Sequence, residues 1–572
     1  MDHKEKLQTV AGRLKSPFLQ NLPYLAVLLL ASLVIYKDYW LLNKIFTGSD
    51  FVQAYVPLAN FQSDCLRELS WPLWNPYMNF GFPWVGHYLN SSLFPTHMIL
   101  GFLTKWTMET YQIELLFWIV LGGFGMYLCV IEQGFSKRSA LISAVSFMFC
   151  GQMTALLQWG GMVYNAACFP FFLLGYFKAK NSGSPLSIIT VLFLVMAIFG
   201  GYVPSVVLSI YLFAGYVILN SLSRKEIVFG IKFLAVNLIL AALITLPRLL
   251  PLYNATGSTP RLHVVASDPR FGIISLYNFM TFLLPVKYYF SLYLGELAVI
   301  VLIYSISRRK FRFNSLFVMF LVSAWILLVD KSGSPSVLRQ IANAVLPFMK
   351  LIRLDFIYWF YPLIFAILYL SRYLDDFFSE ENIKIKLLTV FVFIALLSLL
   401  FFKEYNAAIY YRAYLVHLSL SVLWLCTTFL NRKRTVQTLI VVVLLATELS
   451  LVIHRVDINE PPVRSGASVE MTLTDQNYVS QSFQDAELVA DRMRISFTQD
   501  HLRPSISDSR NRPYLVSVTP GSPYPNYIEA MNQKLFVGWW YNQQESFNFG
   551  RLKESNEFRM LEDQPLFLYF NR

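Results

Sequence analysis

The chain has 572 residues, 56% of them hydrophobic and 14% charged, with a formal net charge of +12. A soluble protein of this length carries about 25% charged residues, so composition excludes an ordinary soluble enzyme and points to a polytopic membrane protein. The positive balance does not read as nucleic-acid binding, because Lys and Arg fall in short clusters between apolar blocks and no basic face tracks a phosphate backbone.

The apolar blocks, such as 22–41, 227–246 and 436–453, are of bilayer-spanning length. Lys4, Lys6, Arg13 and Lys15 place the N-terminus in the cytoplasm. A first helix (22–42) exits, and Lys37 and Asp38 at its end mark it as a retained anchor. A first outer loop follows (43–109). Helix two (110–131) returns to Lys137-Arg138, and helices three and four form a pair ending at Lys178 and Lys180. Helices five and six turn outside at Gly200-Gly201-Tyr202-Val203-Pro204 and return to Arg224-Lys225. Helix seven (227–247) opens a second outer loop (248–288), and helix eight (289–306) returns to Arg308-Arg309-Lys310. Helix nine (314–330) exits, 331–355 stays outside as a re-entrant or interfacial segment, and helix ten (356–371) returns to Arg372, Lys384 and Lys386. Helices eleven and twelve pair and end at Arg432-Lys433-Arg434, and helix thirteen (436–454) exits for the last time. The expectation is an all-α membrane domain of about thirteen spans over 1–454. The C-terminal 455–572 is more polar, with strand-length runs at 514–518, 535–540 and 566–570, and reads as a small, mostly β extracytoplasmic domain.

Of Cys65, Cys129, Cys150, Cys168 and Cys426, only Cys65 falls in an expected loop, so no disulfide framework is implied. The sequence contains no P-loop, dinucleotide fingerprint or HExxH, no Gly-x-Ser-x-Gly elbow and no zinc-type Cys/His spacing. No cytosolic nucleotide-sugar site is therefore read.

The residues able to carry chemistry stand at expected outer edges. Asp50, in Gly48-Ser49-Asp50, follows the first span and reads as a base or as the N-cap of a helix starting near Phe51; the two roles are compatible. Glu296 is expected about two turns into helix eight, roughly 10 Å deep. An acid there is costly unless paired or facing water, so it reads as a cavity wall or half of a structural pair. Arg353 and Asp355 precede helix ten, and Arg248 and Arg261 flank the outer end of helix seven. Arg offers a fork for phosphate oxygens, and snorkelling at the membrane edge is the structural alternative. His87, Tyr55 and Asn75 in the first loop can meet sugar hydroxyls. Trp71, Trp74, Tyr77, Phe80, Phe82 and Trp84 suit a membrane interface or a stacking surface.

Taken in order, these segments resemble the bacterial YfhO-type membrane proteins within the GT-C superfamily of polyprenyl-phosphate-dependent glycosyltransferases. The resemblance is carried by Gly48-Ser49-Asp50 with Tyr55-Val56-Pro57, Trp74-Asn75-Pro76-Tyr77 with Gly81-Phe82-Pro83, and Phe94-Pro95. It continues through Gly201-Tyr202-Val203-Pro204, Leu246-Pro247-Arg248-Leu249-Leu250-Pro251, Tyr293-Leu294-Gly295 and Pro347 to Arg353. It implies a bacterial inner-membrane enzyme with an outward pocket, Asp50 as base, a polyprenyl-phosphate-sugar donor, inversion at the sugar carbon and a glycan, lipid or polymer acceptor. It leaves dependence on a divalent metal ion open. The rival expectations are a transporter or flippase of lipid-linked sugars, and a non-catalytic envelope assembly partner.

Overall fold

The computed structural model describes residues 17–43, 46, 56–75, 82–86, 91, 93–104, 106–257, 293–328, 336–349, 352, 356–404, 418–424, 426–427, 434–453, 514–518, 535–540, 558–560 and 566–570. Its helices in chain order are α1 (Pro17–Ile35), α2 (Lys37–Trp40), α3 (Val56–Arg67), α4 (Pro95–Leu103), α5 (Met108–Glu132), α6 (Lys137–Phe149), α7 (Gly151–Ala155), α8 (Gly160–Ser182) and α9 (Ile188–Gly200). They continue as α10 (Val203–Leu219), α11 (Arg224–Gly257), α12 (Glu296–Ser307), α13 (Ser315–Leu327), α14 (Val337–Val345), α15 (Phe360–Ser379), α16 (Ile383–Glu404) and α17 (Arg434–Ile453).

Local chemistry sets several of these starts. Thr107, Ser136, Ser187, Asn314 and Ser336 each accept a backbone N–H from the first turn of α5, α6, α9, α13 and α14. A polar cap satisfies donors that the apolar block behind it cannot. Among the described residues, three helices are long and apolar enough to cross a membrane, Glu109–Glu132, Gly160–Ser182 and Arg224–Asn254, and six further apolar helices of 10–17 residues accompany them. The chain is a multi-pass membrane protein.

α8 is the central post, with its apolar window wholly covered, whereas α11 leaves most of its window uncovered. α8 packs on α5 and α9, with Phe171 stacked on Phe193 at a centroid distance of 3.8 Å. One end of the bundle gathers the basic clusters. Lys180 pairs with Glu226 at 3.1 Å, Arg308 with Glu380 at 3.1 Å and Lys310 with Asp376 at 3.0 Å. Asp375 accepts from the Ser136 N–H at 2.8 Å and the Ser139 hydroxyl at 2.7 Å, so a carboxylate from α15 caps α6. This is the basic end; the first-loop segments lie at the opposite, loop end.

Four expectations change. Helix seven does not stop at 247: α11 runs to Gly257 with Pro247 and Pro251 inside it, so 248–257 is helix rather than loop. Each proline removes one backbone bond, which a helix of 34 residues survives. Glu296 is the first residue of α12, not two turns into a helix. Helix ten is α15, which starts at Phe360, so Arg372 lies within it rather than beyond it. Cys65 lies buried in α3 rather than in a loop.

The strands are β1 (Trp74–Asn75) antiparallel to β2 (Phe82–Pro83), then β3 (Tyr514–Val518), β4 (Leu535–Trp540), β5 (Phe558–Met560) and β6 (Leu566–Phe570). The last four form one sheet in the order β3-β4-β6-β5, with β3 parallel to β4 and the other pairs antiparallel.

Candidate functional site

The loop end is built from buried polar side chains that grip backbone. The first is Gln112 on α5. Its Oε1 accepts from the Phe46 N–H at 2.9 Å and its Nε2 donates to the Tyr39 carbonyl at 2.6 Å. Tyr39 and Phe46 stack at 4.7 Å, and the Tyr36 hydroxyl meets Thr154 at 3.2 Å. The chain leaving α1 is therefore fixed as far as Phe46, four residues before Asp50 in the sequence. Asp50 and Tyr55 themselves lie outside the described residues.

The second grip joins α4, α5 and α8. The Glu114 carboxylate, 2% exposed, accepts from Thr96 Oγ1 at 2.5 Å, from the Tyr164 hydroxyl at 2.7 Å and from His97 Nδ1 at 3.0 Å. A carboxylate accepts only, which makes Nδ1 the protonated ring nitrogen. Trp118 Nε1 donates to Thr96 at 3.1 Å, and the His97 ring lies on Trp106 at 4.1 Å. Three donors make burial of this acid tolerable.

The third grip brings the first loop against α11. Gly86 lies so close to α11 that a Cβ there would stand 2.6 Å from the Pro251 carbonyl oxygen, a contact only glycine permits. The Ser91 hydroxyl donates to the Gly200 carbonyl at 2.8 Å. Arg248, one helical turn before Pro251, is fully buried, and its guanidinium donates to the Phe199 carbonyl and, at 3.4 Å, to that of Gly201. It caps the exposed carbonyls at the end of α9. Asn165 on α8 donates to the Tyr202 carbonyl at 3.0 Å, securing the same turn.

The fourth is an acidic pair. Glu296 and Glu448 are both fully buried. Glu448, on α17, accepts from the Tyr293 hydroxyl, from the Glu296 N–H at 2.5 Å and from Trp424 Nε1 at 2.9 Å. The Glu296 side chain accepts from the Ser421 hydroxyl at 2.8 Å. Gly295 makes the approach possible at φ +96, a left-handed geometry that L side chains rarely adopt.

The fifth is Arg339 on α14, 1% exposed. Its Nη2 donates to the Met349 carbonyl at 2.8 Å and the Ile352 carbonyl at 2.7 Å. Burial lowers its pKa to about 10, which leaves it charged at neutral pH. The Tyr211 hydroxyl of α10 donates to the Pro347 carbonyl at 2.6 Å, so Pro347, Met349 and Ile352 are held through their carbonyls by two different helices.

Of the nine residues singled out from the sequence, Arg248 and Glu296 are buried as described, and Asn75 stands in β1 opposite Phe82. Asp50, Tyr55, His87, Arg261, Arg353 and Asp355 lie outside the described residues. Sequence reasoning missed Gln112, Glu114, His97, Arg339 and Glu448. A lone acid in the apolar block of α17 was the legible signal for Glu448. Among the described residues, no group of three or more His, Cys, Asp or Glu is placed to hold a metal ion.

No family model matches the chain, and no curated protein matches it. Among solved structures it is similar to ArnT from Cupriavidus metallidurans bound to undecaprenyl phosphate, at 11% identity and a TM-score of 0.48 over 97% of this chain and 99% of that one. It is also similar to the arabinofuranosyltransferase AftD from Mycobacteria, at 16% identity and a TM-score of 0.41 over 65% of this chain and 26% of that one. A third is the archaeal oligosaccharyltransferase AglB from Archaeoglobus fulgidus, at 13% identity and a TM-score of 0.36 over 91% and 70%.

Proposed function

We propose that the protein is a GT-C-type glycosyltransferase of the YfhO-like kind, resident in a bacterial inner membrane with its loop end outward. It would move a sugar from a polyprenyl-phosphate donor to an extracytoplasmic glycan, lipid or polymer. The membrane part would span 1–454, with 455–572 as an outer domain holding the acceptor. The observation that carries this reading is the locking of the first loop. Gln112 fixes its start four residues before Asp50, and Gly86 seats its later part against α11. A short reactive acid needs such a frame to reach its substrate in a fixed geometry.

In this reading Asp50 takes the proton of the acceptor hydroxyl as its oxygen attacks the anomeric carbon. The bond from that carbon to the phosphate oxygen breaks, and the lipid phosphate departs with inversion. Arg353 and Arg261 face the departing phosphate. Arg248 spends its fork on the carbonyls of Phe199 and Gly201, so it shapes the pocket rather than binding the phosphate. Glu296 and Asp355 shape it as well, and His87, Tyr55 and Asn75 meet sugar hydroxyls.

The test is Asp50→Asn in proteoliposomes supplied with polyprenyl-phosphate sugars and an envelope glycan extract. Transfer should fall about 10²–10⁴-fold. A folded variant that transfers at the wild-type rate removes Asp50 from the role.

A further inference from the structure

The site leaves one surface unused. α14 has nine residues, about 14 Å of helix, too short to cross a bilayer. Its polarity is inverted relative to a helix packed on a water-facing surface. Val337, Ile341 and Val345 are 64%, 55% and 71% exposed, and Phe348 just beyond them is 59% exposed. Its one arginine, Arg339, is turned inward onto the Met349 and Ile352 carbonyls. The spacing of four residues puts Val337, Ile341 and Val345 on one stripe, and Gln340, also exposed, lies at its edge.

The stripe continues an exposed apolar surface on α13. α13 exposes Leu321 and Trp325. The start of α14 is bonded to the end of α13, through Ser336 Oγ to the Trp325 carbonyl at 2.7 Å and Ser336 N to the Leu328 carbonyl at 3.0 Å. Arg339 ties α14 to the residues that follow it, and the Tyr211–Pro347 bond ties those residues to α10. An amphipathic helix with this division sits with its apolar face about 5–10 Å into a leaflet.

We propose that α14 is seated in the lipid leaflet at the loop end, with Val337, Ile341, Val345 and Phe348 in hydrocarbon and the bilayer itself as the partner. This does not depend on the enzymatic reading.

Single cysteines at Ile341, Val345 and Gln340 in the full chain test it, in a Cys426→Ser background because Cys426 is the exposed thiol and the other four are buried. Each is labelled with a nitroxide in phosphatidylcholine–phosphatidylglycerol vesicles. Collisions with oxygen should exceed those with a water-soluble nickel chelate at least fivefold at 341 and 345, and the ratio should fall at least threefold at 340. Equal nickel access at all three sites overturns the proposal, as does shielding from both reagents with dipolar coupling between copies. If a cysteine variant fails to fold, the unsubstituted chain is photolabelled with a diazirine-bearing phosphatidylcholine. Cross-links within 337–348 are expected, and their absence overturns the proposal.

Discussion

The two ends of the bundle use the same charged residue types in opposite ways. At the basic end, cations meet carboxylates in the open: the Lys310 and Asp376 side chains are 41% and 42% exposed, and those of Lys180 and Glu226 are 32% and 36% exposed. At the loop end the charges are buried and, in the bonds described, held by neutral groups. Arg248 and Arg339 donate hydrogen bonds to backbone carbonyls, and Glu448 accepts from a phenol, an amide and an indole. Exposed pairs are screened and contribute little, whereas a buried charge forces every neighbour to satisfy it. The basic end carries its charges in screened surface pairs, and the loop end holds its own in fixed geometry.

Five substitutions sharpen this contrast, each read as a change in stability from thermal unfolding in one detergent. Glu448→Leu strands the Tyr293 hydroxyl, the Glu296 N–H and Trp424 Nε1, and should cost about 3–5 kcal/mol. Glu448→Gln, which still accepts, should cost less than half of that. Arg248→Met leaves the Phe199 and Gly201 carbonyls without their donor and should cost about 2–4 kcal/mol. Gly295→Ala meets both the left-handed backbone and the Leu445 methyl, 2.8 Å from the added Cβ, and should cost about 1–3 kcal/mol. Lys310→Ala at the basic end should change stability by less than about 1 kcal/mol, and that difference should shrink in high salt. If Lys310→Ala costs as much as Arg248→Met, the contrast between the ends is wrong.

Much of the helical order was legible because its signals are local. Apolar blocks separated by basic clusters gave the sequence of helices, and the runs 514–518, 535–540 and 566–570 are strands β3, β4 and β6. The three-residue β5 was too short to stand out. Pro247 and Pro251 misled because a proline signals a helix end by default, while α11 passes through both. The place of Glu296 within its helix was misjudged because the left-handed turn at Gly295 starts the helix late, and glycine does not announce its φ. The polar grips of the loop end were not legible, since their partners are distant in the chain. Tyr293 and Glu448 are 155 residues apart, and Arg248 finds its carbonyl acceptors 47 and 49 residues earlier. A sequence shows that a charge is costly, but not which neighbours make it tolerable.

The central post α8 carries a consequence for how the molecule is made. It is the least apolar of the three full-length spans and the one most completely covered by neighbours. When it leaves the ribosome, α5 and α6 already exist, but α9, α10 and α11 have not been synthesised. Its entry into the bilayer should therefore draw more on docking against α5 than the entry of α5 or α11 draws on any neighbour, and a nascent chain lacking α5 should insert α8 less efficiently.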